Sequence, residues 1–472
     1  MKANNKELVK KTAIITIGNV STKLINFLLL PFYTYILSKE EYGTYDFLHS
    51  YIFLLIPVIG FQMDQAVFKY LVESRTNPGN QKSLVTTTTL FMLMQVLCYA
   101  VLFGIIGLFW KYTYLPFMAV VMMSTVVLYD TQQMVRGINK IGLYATAGVI
   151  SSTINILCNI ILLTKFNMHV DGLFLSSIIS TTVAVVFLWA SSGLAKLIDI
   201  KAFSVVNLKK ELSFGIPLVP NEIAWWIIHA SDRTIVTVIL SMASNGIIAV
   251  SQKFSSAYIM VYNIFNLSWT ESVILHYKDK GGEKYISDTL NSVTALFSSC
   301  ALGIVAVMPF MFHILVKGDY GSAYYLIPLY MIAGVVDVYL GMLSAVFVAQ
   351  SKTKYIASTT MLAGIINIIV HLALIYFIGI YAAPISTVFG YATILVVRYL
   401  RIKKETEIRF NLKGILMQAV LFAVTMIVYY IRNPYLCGLI LIADLVICIY
   451  MNKIILLSCK SMVMGKLKKA RT

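Results

Sequence analysis

Charge is scarce in this chain, and where it interrupts apolar sequence it points to chemistry. Of 472 residues, 59% are apolar and only 12% are charged. Lys23 stands within TIGNVSTKLINFLLLPFYTYIL, Arg233 within SFGIPLVPNEIAWWIIHASDRTIVTVIL, and Lys253 in the apolar run that follows. A charged side chain at mid-bilayer costs roughly 2.5–3.5 kcal/mol on insertion scales, so such residues face a partner or a wet cavity. Three cations in one cavity would favour an anionic ligand, and a guanidinium fork suits phosphate oxygens. Lys23, Arg233 and Lys253 are therefore the substrate-binding candidates. Asp46, Asp64, Glu222, His229, Asp232 and Glu271 are candidates for coupling or gating.

Each of these residues also has a plainer reading. Lys23 and Arg233 could close interhelix ion pairs, and Lys253 could snorkel to the interface. Asp232 and Arg233 are adjacent, so on a helix they point about 100° apart and each needs its own partner. Asp46 reads as a rim or pairing carboxylate before a proton carrier. Asp64, Glu222 and Glu271 read equally as gate contacts or helix-end salt bridges. His229 could titrate near neutral pH, although a packing histidine is the commoner case. Asp337 and Asp444 read as structural.

The elements that must hold these residues are membrane spans. Mean hydropathy is +0.80, and apolar runs reach the 20 or so residues that cross a bilayer. About fourteen spans are expected: 12–37, 44–72, 83–109, 114–135, 142–164, 170–190, 212–240, 246–270, 286–312, 322–349, 356–378, 381–400, 412–431 and 435–458. The charged N-terminus directly precedes a long span, which reads as a retained first helix rather than a signal peptide. Alternating the loops puts thirty Lys and Arg on the side of the termini and five on the other, the remaining three of 38 being the intramembrane cations. That asymmetry predicts cytoplasmic N- and C-termini in a cell membrane. Most of the net charge of +17 thus encodes orientation and contact with anionic lipid headgroups, and nucleic acid is not an expected partner. The six cysteines lie singly, without CxxC, and read as small apolar packing residues. No metal, nucleotide or nucleophile motif stands out, no cofactor is expected, and no loop reaches domain size.

The chain also repeats itself. NKIGLYATAGVISSTINILCNIILL (139–163) lies over SKTKYIASTTMLAGIINIIVHLALI (351–375), placing Lys140 on Lys352, Asn155 on Asn367 and Asn159 on His371. Leu37-Ser38…Gly43 likewise lies over Leu240-Ser241…Gly246. An even-numbered repeat of six spans is parallel, about an axis along the membrane normal. The expected organisation is an N-terminal lobe over 1–195, a basic cytoplasmic linker over 196–211, a second lobe over 212–404, and two further helices with a basic tail over 405–472. Polar residues concentrate in the first pair of spans of each lobe, which would line a cleft between lobes.

The stretches PFYTYILSKEEYGTYDFLHSYIFLLIPVIGFQMDQAVFKYL and SFGIPLVPNEIAWWIIHASDRTIVTVILSMASNGIIAVSQKF…IFNLSWTES resemble the oligosaccharide-lipid flippases of bacterial surface polysaccharide synthesis. These are Wzx-type members of the multidrug/oligosaccharidyl-lipid/polysaccharide (MOP) exporter superfamily. The resemblance runs over nearly the whole length and is sharpest at 31–71 and 212–271. It implies an all-α fold of two six-helix lobes plus two helices. It also implies alternating-access movement of an undecaprenyl-pyrophosphate-linked oligosaccharide from the cytoplasmic to the outer leaflet, and no enzymatic activity. It further implies a cationic cavity, matched in kind by Lys23, Arg233 and Lys253, with H+ or Na+ and other polysaccharide-assembly proteins as partners. O-antigen, capsule and exopolysaccharide pathways all fit. The alternatives are a cation-coupled multidrug antiporter of the same superfamily, whose members use carboxylates in the N-terminal lobe, and a membrane enzyme such as a polysaccharide polymerase. The short outer loops disfavour the enzyme.

Overall fold

In hydrocarbon there is no water to satisfy backbone N–H and C=O groups, so apolar runs of this length fold as helices. A computed structural model describes residues 27–453, apart from the side chains of Ala224, Trp225, Ile228, His229 and Thr353. The described residues contain helices and no strand. In the first part of the chain the helices are α1 (Leu30–Ile36), α2 (Lys39–Gly60), α3 (Met63–Glu73), α4 (Pro78–Phe109), α5 (Leu115–Gly137), α6 (Ile141–Thr164), α7 (His169–Ser192), α8 (Val205–Gly215) and α9 (Val219–Ile239). There follow α10 (Met242–His276), α11 (Gly282–Leu315), α12 (Ala323–Ala349), α13 (Thr353–Ile378), α14 (Ala382–Glu405), α15 (Leu412–Ile431) and α16 (Pro434–Met451). Among the described residues nine helical stretches are long and apolar enough to cross a membrane, ten with the bent pair α2–α3 taken as one. The protein is a multi-pass membrane protein.

Local sequence sets the helix ends. Ser38 accepts from the Glu41 backbone N–H while the Glu41 carboxylate accepts from the Ser38 N–H, a capping box that starts α2. Asn77, Ser204, Asn411 and Asn433 cap α4, α8, α15 and α16 through their side chains. Two expected spans are broken. The 44–72 run bends by 49° between α2 and α3, because Phe61 and Gln62 both adopt left-handed backbone, at φ 50° and 53°. The 212–240 run divides between α8 and α9 across a short 3₁₀ turn, Ile216–Leu218, where Pro217 and Pro220 permit the bend. The two breaks meet: a Cβ on Gly215 would collide with the Phe61 carbonyl oxygen.

The chain divides into two compact units, Met1–Gly246 and Ile247–Thr472. The division falls after the 196–211 segment expected to link the lobes, because α8 packs on α3 and α4, and α9 packs on α2. Within the first unit α5 is central, packing on α2, α3, α4, α6 and α7. In the second unit α12 occupies that place, with 61% of its apolar window buried against 11% for α16; α16 is lipid-facing. Arg398, one of the thirty basic residues counted outside the spans, lies within α14 at 3% exposure. Its guanidinium donates to Thr359, Thr360 and Ser344 hydroxyls and to the Ile356 carbonyl. That correction makes Arg398 a fourth intramembrane cation, one whose hydrogen bonds are filled within the unit.

The internal repeat extends to backbone detail. Asn139 and Ser351 both have positive φ, 67° and 58°. Lys140 N–H bonds the Val135 carbonyl as Lys352 N–H bonds the Phe347 carbonyl. Asn155 and Asn367 each donate to a hydroxyl on the next helix, Ser180 and Thr387. The second match holds too: Ser241 caps the Ser244 N–H as Ser38 caps Glu41. Gly43 and Gly246 let two helix backbones touch. A Cβ on Gly43 would strike the Met242 carbonyl, and one on Gly246 the Lys39 carbonyl, while Asn245 donates to the Gly43 carbonyl at 2.9 Å. Gly43→Leu should therefore lower the unfolding temperature of the detergent-solubilised protein by several degrees, since overpacking a tight contact costs about 1–3 kcal/mol. The exposed Gly104, with open space around its Cβ position, should tolerate the same change.

Candidate functional site

Arg233 on α9 reaches Asp46 on α2, Nε to Oδ2 at 2.6 Å, with side-chain exposures of 19% and 16%. Its neighbours hold α2 and α9 in register. Tyr51 and Thr234 share a hydroxyl hydrogen bond at 3.0 Å, and the Trp226 indole N–H donates to the Ser50 carbonyl at 2.6 Å. The Trp226 ring also packs edge-on against Tyr51. The guanidinium expected to wait for phosphate thus holds a carboxylate of its own unit. Such a pair is mutually neutralised, yet either partner can exchange for an external ion of matching charge.

A second polar site lies at the α2–α3 break. A cavity of about 230 Å³ is lined by Asp64, Asp130, Glu222, Gln62, Gln65 and Tyr129 together with apolar residues of α2. Gln65 donates to Asp64 at 3.2 Å, and Asn221 lies beside Glu222. The sequence reading missed Asp130. Its signal was present, a carboxylate inside the 114–135 span followed by Thr131, Gln132 and Gln133. Only helix packing brings it beside Asp64.

Polar pairs also tie α8 and the segment before it to α4. Glu211 accepts from the Thr88 hydroxyl at 2.9 Å and is fully buried; burial pushes its carboxyl up to about 8. Lys82 sits 2.9 Å from Asp199, and its hydrogen bond holds the Asp199 carboxyl below the usual range. Thr86 and Thr87 accept from the backbone N–H groups of Asp199 and Ser204.

The other candidates are dispersed. Lys23 and the His229 side chain lie outside the described residues. Asp232 is buried, at 5% exposure, and engaged by neighbours. Lys253 is half-buried and Glu271 exposed, both on α10 in the second unit. Asp444 accepts from the Thr425 hydroxyl at 2.8 Å, joining α16 to α15.

Residues 8–269 match the family of polysaccharide biosynthesis proteins. Among solved structures, an inward-closed lipid II flippase, MurJ, superposes with a TM-score of 0.66 at 14% identity, covering 94% of this chain and 98% of that one. An inward-facing MATE-family multidrug resistance transporter of the MOP superfamily reaches 0.65 at 12% identity, over 83% and 94%. A Vibrio cholerae MATE transporter, VcmN, reaches 0.54 at 14%, over 85% and 96%. No curated protein matches the chain.

The buried Glu211 carries a linkage consequence. A carboxyl held at about 8 in the folded protein binds a proton that the unfolded chain releases near pH 4–5, so stability falls as pH rises through that window. Glu211→Gln should therefore melt several degrees above the wild type at pH 8.5 and converge with it towards pH 4.5, as followed by thermal unfolding in detergent.

Proposed function

Because the chain belongs to the polysaccharide biosynthesis protein family, we propose that it is a flippase for a polyprenyl-pyrophosphate-linked oligosaccharide. It carries the repeat unit from the cytoplasmic to the outer leaflet by alternating access, for surface polysaccharide assembly. It is a transporter and not an enzyme, and both termini are cytoplasmic. The observation that carries this reading is the family match over residues 8–269. Support comes from the fold, shared over nearly its whole length with a lipid II flippase. A multidrug antiporter is the second reading, favoured by the likeness to MATE transporters.

The site residues take roles under this proposal. Lys23, Arg233 and Lys253 attract the pyrophosphate and any acidic sugars. Asp46 occupies Arg233 when substrate is absent, so the pyrophosphate must displace a carboxylate to reach the guanidinium. Phosphate oxygens can accept from the same guanidinium that now donates through Nε to Asp46. A cationic drug would gain nothing from Arg233.

Complementation of a flippase-deficient strain at matched expression tests the proposal. Arg233→Ala and Lys23→Ala should each lower polysaccharide output at least tenfold. Exchanging the partners, Arg233→Asp with Asp46→Arg, should restore the thermal stability lost in Arg233→Ala but not the output, because the pair reforms with its cation on the wrong helix. Full output from both alanine variants would overturn the role of the cations. Drug resistance conferred by the wild type, without polysaccharide export, would favour the antiporter.

A further inference from the structure

The cavity at the α2–α3 break gathers carboxylates without a basic side chain among its described lining residues. Asp130 is 2% exposed, and its Oδ2 has no hydrogen-bond partner among the described residues. It lines the cavity with Asp64 and Glu222, and no Lys or Arg is among the described lining residues. The groups that face it from the packed elements are acidic or neutral. They are Asp64 from α3, Glu222 from α9, Tyr129 on its own helix, and Glu211 from α8 within electrostatic range; α2 contributes Phe53, Ile56, Pro57 and Gly60. None of the ion pairs among the described residues involves Asp64, Asp130, Glu211 or Glu222.

Two other buried carboxylates differ. Glu211 and Asp444 also keep one buried oxygen without a partner, but each accepts a threonine hydroxyl with the other oxygen and neither lines this cavity. Asp130 accepts none, and it sits beside backbone held in the left-handed region at two non-glycine residues, Phe61 and Gln62. Such strain persists only where surrounding structure enforces it and gathers at functional sites.

An ionised carboxylate buried without a counter-charge is too costly to persist, so a proton or a cation must accompany it. No three Asp, Glu, His or Cys side chains among the described residues are placed to hold one metal ion. We propose that Asp130 and Asp64 form a proton-binding site in the first unit, in which Asp130 carries the proton, Asp64 sets how tightly it is held, and the cavity connects the pair to water. Gln62 and Gln65 are suited to hydrogen-bond the water through which the proton travels. The site stands on the geometry of the cavity and not on the export reading, which the complementation experiment tests separately.

Infrared difference spectroscopy of the purified full chain in lipid nanodiscs reads the site directly. Measured in a Glu211→Gln background, which removes another raised carboxyl, a change of pH should produce a protonated-carboxyl band that is lost when Asp130→Asn is added. In Asp64→Asn the band should persist but titrate at least one pH unit lower, because removing the neighbouring negative charge makes Asp130 easier to ionise. A purely structural role for Asp64 would not move that titration. Persistence of the band in an Asp130→Asn protein that elutes and melts as the wild type does would overturn the proposal. So would a wild-type spectrum that responds to sodium at constant pH and not to pH. Should Asp130→Asn fail to fold, the Asp64→Asn titration decides alone: a shift supports the pair, and an unmoved midpoint overturns it.

Discussion

The structure is governed by the absence of water around its polar groups. Within hydrocarbon a backbone amide, a carboxylate or a guanidinium must find its partner inside the protein. The described residues meet that demand repeatedly within each unit. Arg398 fills its donors with three hydroxyls and a carbonyl, Arg233 takes Asp46, and Asp444 takes Thr425. Asn159 takes the Tyr33 hydroxyl and the Asn155 carbonyl oxygen. Against that background Asp130 is informative, because it accepts no side-chain hydrogen bond among the described residues and lines a cavity with other carboxylates.

Close backbone approach is the second device. Gly43 against Gly246, and Gly215 against Phe61, bring helices together at distances no side chain would allow. The first contact joins equivalent positions of the internal repeat. The second places the α8–α9 break beside the α2–α3 break, so that two irregular backbone segments shield each other and open a polar cavity between Asp64, Asp130 and Glu222. Irregular backbone at membrane depth is tolerated only where protein or a water-filled cavity covers it, and here the two breaks cover each other.

The family and the fold leave a division of labour within the first unit. The ion pair Asp46–Arg233 offers a cation held by a carboxylate. The cavity at the break offers carboxylates with no cation. Under the proposed function, the first would meet the negative charge of the substrate and the second would bind the proton. The two polar sites share α2 and α9, and the second adds α3 and α5, which carries Asp130.

Much of this was legible in the residues. Hydropathy placed most of the described helices to within a few residues, because an apolar run in lipid has no other fold, but it did not foresee the breaks within 44–72 and 212–240. The repeat at 139–163 and 351–375 was visible as spacing and persists as matching left-handed residues and matching asparagine bonds, because local sequence sets local backbone. Intramembrane charge marked Arg233 and Asp46 as consequential. Their partnership was not legible, since 187 residues separate them and spacing along one helix says nothing about its neighbour. Asp130 escaped notice for the same reason, and Arg398 was counted as a loop cation although its helix continues past it. The sequence by itself determined helices, their apolar faces and the scarcity of charge. Only tertiary packing decided which charges are neutralised and which remain, because in a low-dielectric interior that depends on neighbours a few ångströms away in space and not on the order of residues.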